Sequence, residues 1–295
     1  MSKAARNREL STRERIAQQQ ADARRSEGKR RLLLVGGSLL LVIVVVVAII
    51  VGGVLKSSPK QAGVSGGNLP ASVAQNVSGV SSGTLSQVGT GALPPVTSLP
   101  LRSISDTTLT SSSGKPEFLY IGAEFCPYCA AMRWSMAVAL SKFGTLGPLT
   151  GIHSSSTDVY PNTATLTFLH QKYASKYLTF TPVENETVTE QPLQPTTKQQ
   201  QAVWVKYDSQ GGGTGFPFLY FGGKVIMTGP LYNPAVLKGL TWSQIAGQLD
   251  NPSSPVAQNV NGAANYITAS ICKMTNNSPS NVCTAGPVQS IESKL

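Results

Sequence analysis

A Cys-x-x-Cys motif between an apolar segment and a helical pattern is the feature that most restricts how this chain can fold. Pro127, inside the motif, suits the first turn of a helix because it lacks an N–H and its φ is fixed. Cys126 then stands at the helix N-cap. Cys129 lies three residues later on the same face, so a disulfide can close between them. The positive end of the helix favours a thiolate on Cys126, the form that attacks disulfides.

A long apolar segment near the N-terminus predicts a membrane anchor. Leu32 to Leu55 is a run of 24 residues without a charged side chain, long enough to cross a bilayer as a helix. Ten basic and four acidic residues precede it, which places the N-terminus in the cytoplasm and the C-terminal part outside. The alternative is a cleaved signal peptide, but its apolar core would be only about 7–15 residues long.

The positive charge is concentrated beside this segment. Of the formal net charge of +10, +6 lies in the first 31 residues, by the ten basic and four acidic residues there. Residues 56–295 contain only two arginines, Arg102 and Arg133. We therefore expect the basic tail to lie against the lipid bilayer and expect no nucleic-acid partner.

Periodicity after the anchor predicts an α/β order. Helical spacing of valines and leucines between residues 73 and 88 predicts two short helices after a tether. The expected elements that follow are a strand near Leu101, a buried strand at 117–122, a helix at 127–143, a strand at 149–154, an antiparallel strand pair at 165–173 and 177–183, a helix at 196–207, a hairpin at 216–228 turning at Gly222-Gly223, a helix opened by a capping box at Thr241, and a helix at 255–274.

This order resembles the thioredoxin fold, a central mixed sheet flanked by helices, here with an insertion. Ala123-Glu124-Phe125-Cys126-x-x-Cys129 is similar to the Ala-Glu-Trp-Cys-x-x-Cys of thioredoxin, and Cys-Pro-Tyr-Cys is also the glutaredoxin tetrapeptide. More closely, the segment from Tyr120 to Trp134 resembles domain-of-unknown-function family 929. That is an uncharacterised family of membrane-anchored thioredoxin-like proteins in which the C-terminal cysteine pair recurs.

The resemblance implies a domain organisation and a substrate-binding proline. It implies that the Phe216–Pro217 bond is cis and that the backbone of Phe216 pairs with a bound substrate chain. Tyr128 and Phe216 are candidates for an apolar rim that receives a substrate chain, with simple packing as the alternative, and Pro127 is a further substrate-binding candidate. The predicted divisions are 1–31 as a basic cytoplasmic tail, 32–55 as the transmembrane helix, 56–100 as a tether with short helices, 101–250 as the thioredoxin-like domain, and 251–295 as a C-terminal helical extension.

The sequence departs from thioredoxin in the residue expected to assist proton transfer and in the distance between the dithiol and the downstream proline. Thioredoxin has a buried aspartate six residues before its first cysteine, and this chain has Tyr120 there. Glu124 is the nearest carboxylate in sequence and becomes the candidate for proton transfer. The separation of Cys129 from Pro217 is longer than in thioredoxin. No glutathione-binding pattern beyond the tetrapeptide is present, which argues against a true glutaredoxin.

The second cysteine pair is expected to be structural. Cys272 and Cys283 are predicted to lie outside the fold core and to close a short loop, so we expect a stabilising disulfide. The alternative is a second redox pair that relays electrons to the first. Zinc would need two ligands besides Cys126 and Cys129, and the spacing of the second pair does not match a zinc site. We predict no metal and no other cofactor.

These features predict a single-pass membrane protein of the cell envelope whose extracytoplasmic domain is a thiol–disulfide oxidoreductase. Its expected partners are protein thiols and disulfides and an electron-transfer partner in the membrane. The alternative from another class is a non-catalytic binding protein on the same scaffold, with its cysteines permanently paired. A cytosol-facing, glutaredoxin-like enzyme would require the inverted topology.

Overall fold

A computed structural model describes residues 66–295 with the exception of 108, 110–112 and 209–213. The predicted basic tail, transmembrane helix and most of the tether lie outside these residues. Within the described part of the chain, no helix is both long and apolar enough to span a membrane. The described residues form one compact unit.

The described residues form ten strands and eight α-helices. The strands, β1 to β10, are Gly67–Asn68, Leu101–Ser103, Glu117–Gly122, Gly144–Leu146, Thr150–His153, Ala164–Thr167, Tyr173–Ser175, Thr179–Glu184, Phe218–Phe221 and Val225–Thr228. The helices, α1 to α8, are Ala71–Gly79, Ser82–Val88, Pro127–Leu140, Lys198–Asp208, Trp242–Gln248, Pro255–Met274, Ser280–Cys283 and Gly286–Glu292. Two short 3-10 helices are Val96–Ser98 and Pro234–Leu237.

The central sheet is mixed and has five strands in the order β2-β10-β9-β3-β8. Strand β3 pairs in parallel with β8 and antiparallel with β9. Strands β9 and β10 form the predicted hairpin through Gly222 and Gly223. Both glycines have positive φ values, 52° and 72°, which few other residues adopt without strain. The hairpin prediction is confirmed.

Helices cover both faces of this sheet, as the alternation of side chains along β3 shows. Phe118 and Tyr120 point into the larger core cluster, which also contains side chains of α3 and α6. Leu119 and Ile121 point into a second cluster with Trp204 of α4. Because successive strand residues face opposite sides, a continuous apolar strand is buried on both faces. The predicted α/β class, a mixed sheet flanked by helices, is confirmed.

The strand, helix and strand expected at 117–122, 127–143 and 149–154 are all present, but the two strands are not neighbours in one sheet. Strand β5, the expected next strand, lies in a separate three-stranded sheet, β1-β5-β6. The parallel neighbour of β3 is β8, which matches all six β3 residues, whereas β5 has only four. The expected antiparallel pair at 165–173 and 177–183 is therefore wrong. Strand β6 pairs with β5, and β7 pairs with β4.

The C-terminal helices belong to the same core as the dithiol helix. Helix α6 has the predicted bounds, Pro255–Met274, and packs against α3. Cys272 and Cys283 are both fully buried members of the main core cluster. The prediction that this pair lies outside the fold core is therefore wrong, because the chain after residue 251 folds back onto α3 rather than extending away from it.

Candidate dithiol site

Cys126 stands at the N-cap of α3, as the motif predicted. Its backbone is extended, and its Sγ accepts a hydrogen bond from the backbone N–H of Cys129 at 3.2 Å. Pro127 is buried at the start of the helix, where no N–H is needed. Both cysteines are free thiols. Cys126 is 5% exposed and Cys129 is 0% exposed, so Cys126 is the sulfur that an incoming disulfide can reach.

The two thiols have opposite pKa shifts. Hydrogen bonds from Cys129, first from its thiol and then from its backbone N–H, lower the pKa of Cys126 although burial opposes the charge. Burial raises the pKa of Cys129 well above its usual value, and the bond to Cys126 adds to this. The positive charge of Arg133 lowers the pKa of both thiols, adding to the shift of Cys126 and opposing that of Cys129. This pattern suits a nucleophile on Cys126 and a proton-bearing partner on Cys129.

A fully buried ion pair lies one helical turn beyond Cys129. Arg133 Nε donates to Glu184 Oε1 at 2.9 Å, and Arg133 Nη2 donates to Glu184 Oε2 at 2.6 Å. Arg133 Nη2 also donates to the carbonyl of Ala123 at 2.8 Å. Both ionic side chains are 0% exposed. Two of the guanidinium nitrogens are therefore held by the strand β8 carboxylate and by the loop just before the motif.

Tyr120, six residues before Cys126, lies beside this ion pair. Its ring lies 6.0 Å from the Arg133 guanidinium carbon, and burial raises its pKa. The Tyr120 hydroxyl packs so closely on Gly122 that a Cβ there would overlap it. Gly122 therefore makes room for a neutral phenol beneath the dithiol helix.

Glu124, the predicted proton-transfer group, is bonded elsewhere. Its Oε1 accepts a hydrogen bond from the Thr167 hydroxyl at 2.7 Å, and the side chain is 2% exposed. Burial raises the pKa of its carboxyl, with Glu184 adding to the effect. No hydrogen bond in the described part of the chain joins Glu124 to either sulfur. The structure places it beside β6 and near the ion pair.

The predicted substrate-binding pair comes to the dithiol from far along the chain. Phe216 packs against the cluster of Ala123, Cys126 and Cys129, and the Phe216–Pro217 bond is cis. The Phe216 ring lies between the rings of Phe125, at 6.2 Å, and Trp204, at 5.3 Å. Within the described ranges, the N–H and C=O of Phe216 make no backbone hydrogen bond. They are therefore available to a bound chain.

A loop that the sequence reasoning did not connect with the site also borders it. Ser155 N–H donates to the carbonyl of Phe125 at 2.9 Å, which attaches this loop to the motif. Tyr160 packs edge-on against Tyr128 with 5.8 Å between ring centroids. Val159, between them, is 69% exposed. The half-buried rim therefore includes Tyr160 as well as Tyr128 and Phe216, and only three-dimensional proximity identifies it.

The second cysteine pair forms a disulfide between α6 and α7. Cys272 and Cys283 are joined across a sequence separation of 11. Among the described residues, no group of three or more histidine, cysteine or carboxylate side chains is placed to hold a metal ion.

Fold and site together define an α/β protein with an asymmetric, buried dithiol at a helix N-terminus. The chain belongs to the family called Domain of unknown function (DUF929), which matches it over residues 102–273. This confirms the family resemblance seen in the segment around the motif. No curated protein and no solved structure matches the chain.

Proposed function

We propose that this protein is a membrane-anchored, extracytoplasmic thiol–disulfide oxidoreductase that acts on protein substrates through Cys126 and Cys129. The main support for this proposal is that the two cysteines differ in hydrogen bonding, burial and pKa. Cys126 accepts the helix N–H of Cys129 at 3.2 Å and has a lowered pKa, whereas Cys129 is wholly buried with a raised pKa. A pair that served only as a structural link would need neither feature.

The sheet order supports a thioredoxin-like fold for the domain. The strand before the dithiol, β3, has a parallel neighbour in β8 and an antiparallel neighbour in β9, which begins just after cis-Pro217. Strand β10 then extends the sheet as the hairpin partner of β9. The resemblance implies this arrangement of a dithiol helix facing a cis-proline. The segment at 144–175 contains β4 to β7, which lie outside the central sheet, and we assign it as the insertion.

In the proposed reaction, the Cys126 thiolate attacks one sulfur of a substrate disulfide. A Cys126–substrate disulfide forms, and the other substrate sulfur leaves as a thiolate. Cys129 then loses its proton to solvent and attacks the Cys126 sulfur, which releases the second substrate thiolate. The dithiol gives up two electrons and the substrate disulfide takes them. The reverse sequence oxidises a substrate dithiol.

The surroundings of Cys126 suit an extended polypeptide. The free backbone groups of Phe216 can pair with a chain lying beside the dithiol, and the half-buried rings of Tyr128 and Tyr160 offer apolar contact. The uncharged run Leu32–Leu55 would hold the domain at the membrane. There, an electron-transfer partner in the bilayer would restore the working redox state.

The reduction potential of Cys126–Cys129 tests the proposal. We would equilibrate the full-length chain with glutathione buffers and count thiols, with Cys126→Ala/Cys129→Ala as the matched control for the second cysteine pair. A potential near about −120 mV would identify an oxidant of exported proteins, and one near about −270 mV a reductase. A pair that stays oxidised below about −300 mV would be structural, which would refute the proposal and favour the binding-protein alternative.

Trapping tests the assignment of the attacking sulfur. Cys129→Ser should hold a disulfide-bonded model peptide in a covalent adduct that reductant releases, because nothing resolves the bond to Cys126. Cys126→Ser should form no such adduct, since Cys129 is 0% exposed. Equal trapping by both variants would overturn the assignment.

A further inference from the structure

Arg133 carries a buried positive charge that its ion pair does not fully use. Of its three guanidinium nitrogens, Nε and Nη2 donate to Glu184 and Ala123, but Nη1 has no hydrogen-bond partner among the described residues. The whole side chain is 0% exposed. An unpaired buried donor on a charged group is costly. A donor of this kind suggests an anion that exists only at one stage of a reaction.

The position of Arg133 on α3 identifies that anion. Arg133 follows Cys129 by four residues, so the two side chains lie on the same face of the helix. The guanidinium charge favours the ionised form of Cys129, and burial disfavours it. Arg133 and Glu184 have opposite effects on the pKa of Tyr120 and of Glu124, whereas at Cys129 only the effect of Arg133 is resolved. The carboxylate therefore holds Nε and Nη2 of the guanidinium, while Nη1, on the helix face that Arg133 shares with Cys129, has no hydrogen-bond partner among the described residues.

We propose that Arg133 is a positioning residue whose buried guanidinium stabilises the Cys129 thiolate at the moment when Cys129 resolves the mixed disulfide on Cys126. This inference rests on the proposed function and adds a component to it. Cys129 must lose its proton while fully buried, and the carboxylate that would assist in thioredoxin is replaced by Tyr120, a neutral phenol.

The other ionisable groups near the pair do not supply the same effect. Glu124 is bonded to Thr167, and its burial favours the protonated form. Glu184 already accepts hydrogen bonds from Arg133 and from the Phe168 N–H at 3.0 Å. In the resolving step the Cys129 proton passes to solvent. The new Cys126–Cys129 bond forms as the Cys126–substrate bond breaks, and the departing thiolate takes a proton from solvent.

The two steps can be timed separately with dithiobis(nitrobenzoate) and the reduced full-length chain. Attack by Cys126 releases one thionitrobenzoate, and attack by Cys129 on the resulting mixed disulfide releases a second. We expect Arg133→Met to slow the second release about tenfold at neutral pH and to move its pH profile about one unit towards alkaline pH. Arg133→Lys, which keeps the charge but not the two-pronged contact with Glu184, should shift the profile less than Arg133→Met does.

Glu184→Gln separates an electrostatic role from a structural one. It weakens the same ion pair but leaves the charge of Arg133 less neutralised. The pH profile of the second thionitrobenzoate release should therefore move towards acidic pH. A merely structural ion pair would make Arg133→Met and Glu184→Gln move the profile in the same direction, and that result would overturn the inference.

A double variant covers the case in which Arg133→Met fails to fold. Arg133→Met/Glu184→Met removes both charges together, a replacement that buried ion pairs often tolerate. Its release of the second thionitrobenzoate should also be slow. A wild-type pH profile in the folded double variant would refute the inference about Arg133 and leave the proposed function standing. If wild type shows no first release, Cys126 is not a nucleophile. The proposed function then fails, and the inference fails with it.

Discussion

Reduction of the Cys272–Cys283 disulfide should destabilise the domain by about 3 kcal/mol. The bond closes a loop with a sequence separation of 11, and the chain-entropy relation for a loop of that size gives about 3 kcal/mol at room temperature. Both cysteines are fully buried in the main core. We therefore expect the loss to appear in the global unfolding of the unit and not as local fraying at the C-terminus.

Urea unfolding with and without dithiothreitol measures this effect. The Cys126→Ala/Cys129→Ala variant is the appropriate protein, since the sequence contains four cysteines and reductant then acts on one pair only. Equilibration through the unfolded state exposes the buried bond, and thiol counting verifies its reduction. In a thermal melt the same loss should lower the Tm by about 6–12 °C for a domain of this size.

The variant without any cysteine is the matched control, and reductant should not change its free energy of unfolding. A change of less than about 1 kcal/mol on verified reduction of Cys272–Cys283 would refute the reasoning that this bond is structural. The pair would then be open to the alternative role of a redox relay.

Four further predictions concern three single residues. Alkylation of reduced Cys126 by iodoacetamide should reach half its maximal rate below the pH of about 8.5 typical of a free thiol, and Cys129→Ala should move that pH upward. By linkage, the lowered pKa of Cys126 adds stability that is fully present above about pH 8.5 and is lost as the pH falls through its folded-state pKa, so urea midpoints of the reduced protein should fall over that window. Tyr120→Phe should leave the Tm unchanged or raise it, because the Tyr120 hydroxyl has no hydrogen-bond partner among the described residues; a lower Tm would contradict this. Thr241→Ala should cost about 1 kcal/mol in urea unfolding because it removes the reciprocal cap with Gln244, whereas Thr241→Ser should cost less.

Features encoded within a few residues could be predicted from the sequence. Cys126 at the N-cap, the Gly222-Gly223 turn, the capping box at Thr241 and the bounds of α6 all depend on local backbone preferences. Such preferences act over one turn of helix or one hairpin, so short patterns are sufficient to reveal them.

Features that depend on which segments meet could not be predicted in this way. The parallel neighbour of β3 turned out to be β8, although β5 follows α3 sooner in the chain. Strand pairing is decided by the fit of whole strands and by the cores on both faces, and a short β-branched segment carries no label for its partner. The burial of the cysteine pair near the C-terminus likewise depends on segments that are distant in sequence, because α6 packs against α3 in the main core.

The surroundings of the dithiol show most clearly which features are encoded locally in the sequence and which depend on tertiary contacts. The sequence by itself determined that two cysteines share the first turn of a helix and that Pro217 follows Phe216 far downstream. Only the tertiary structure decided that Arg133 forms an ion pair with Glu184, 51 positions away, and that Glu124 bonds to Thr167 instead of a sulfur. Burial of a charge requires a partner from another segment of the chain, and only the folded arrangement supplies it.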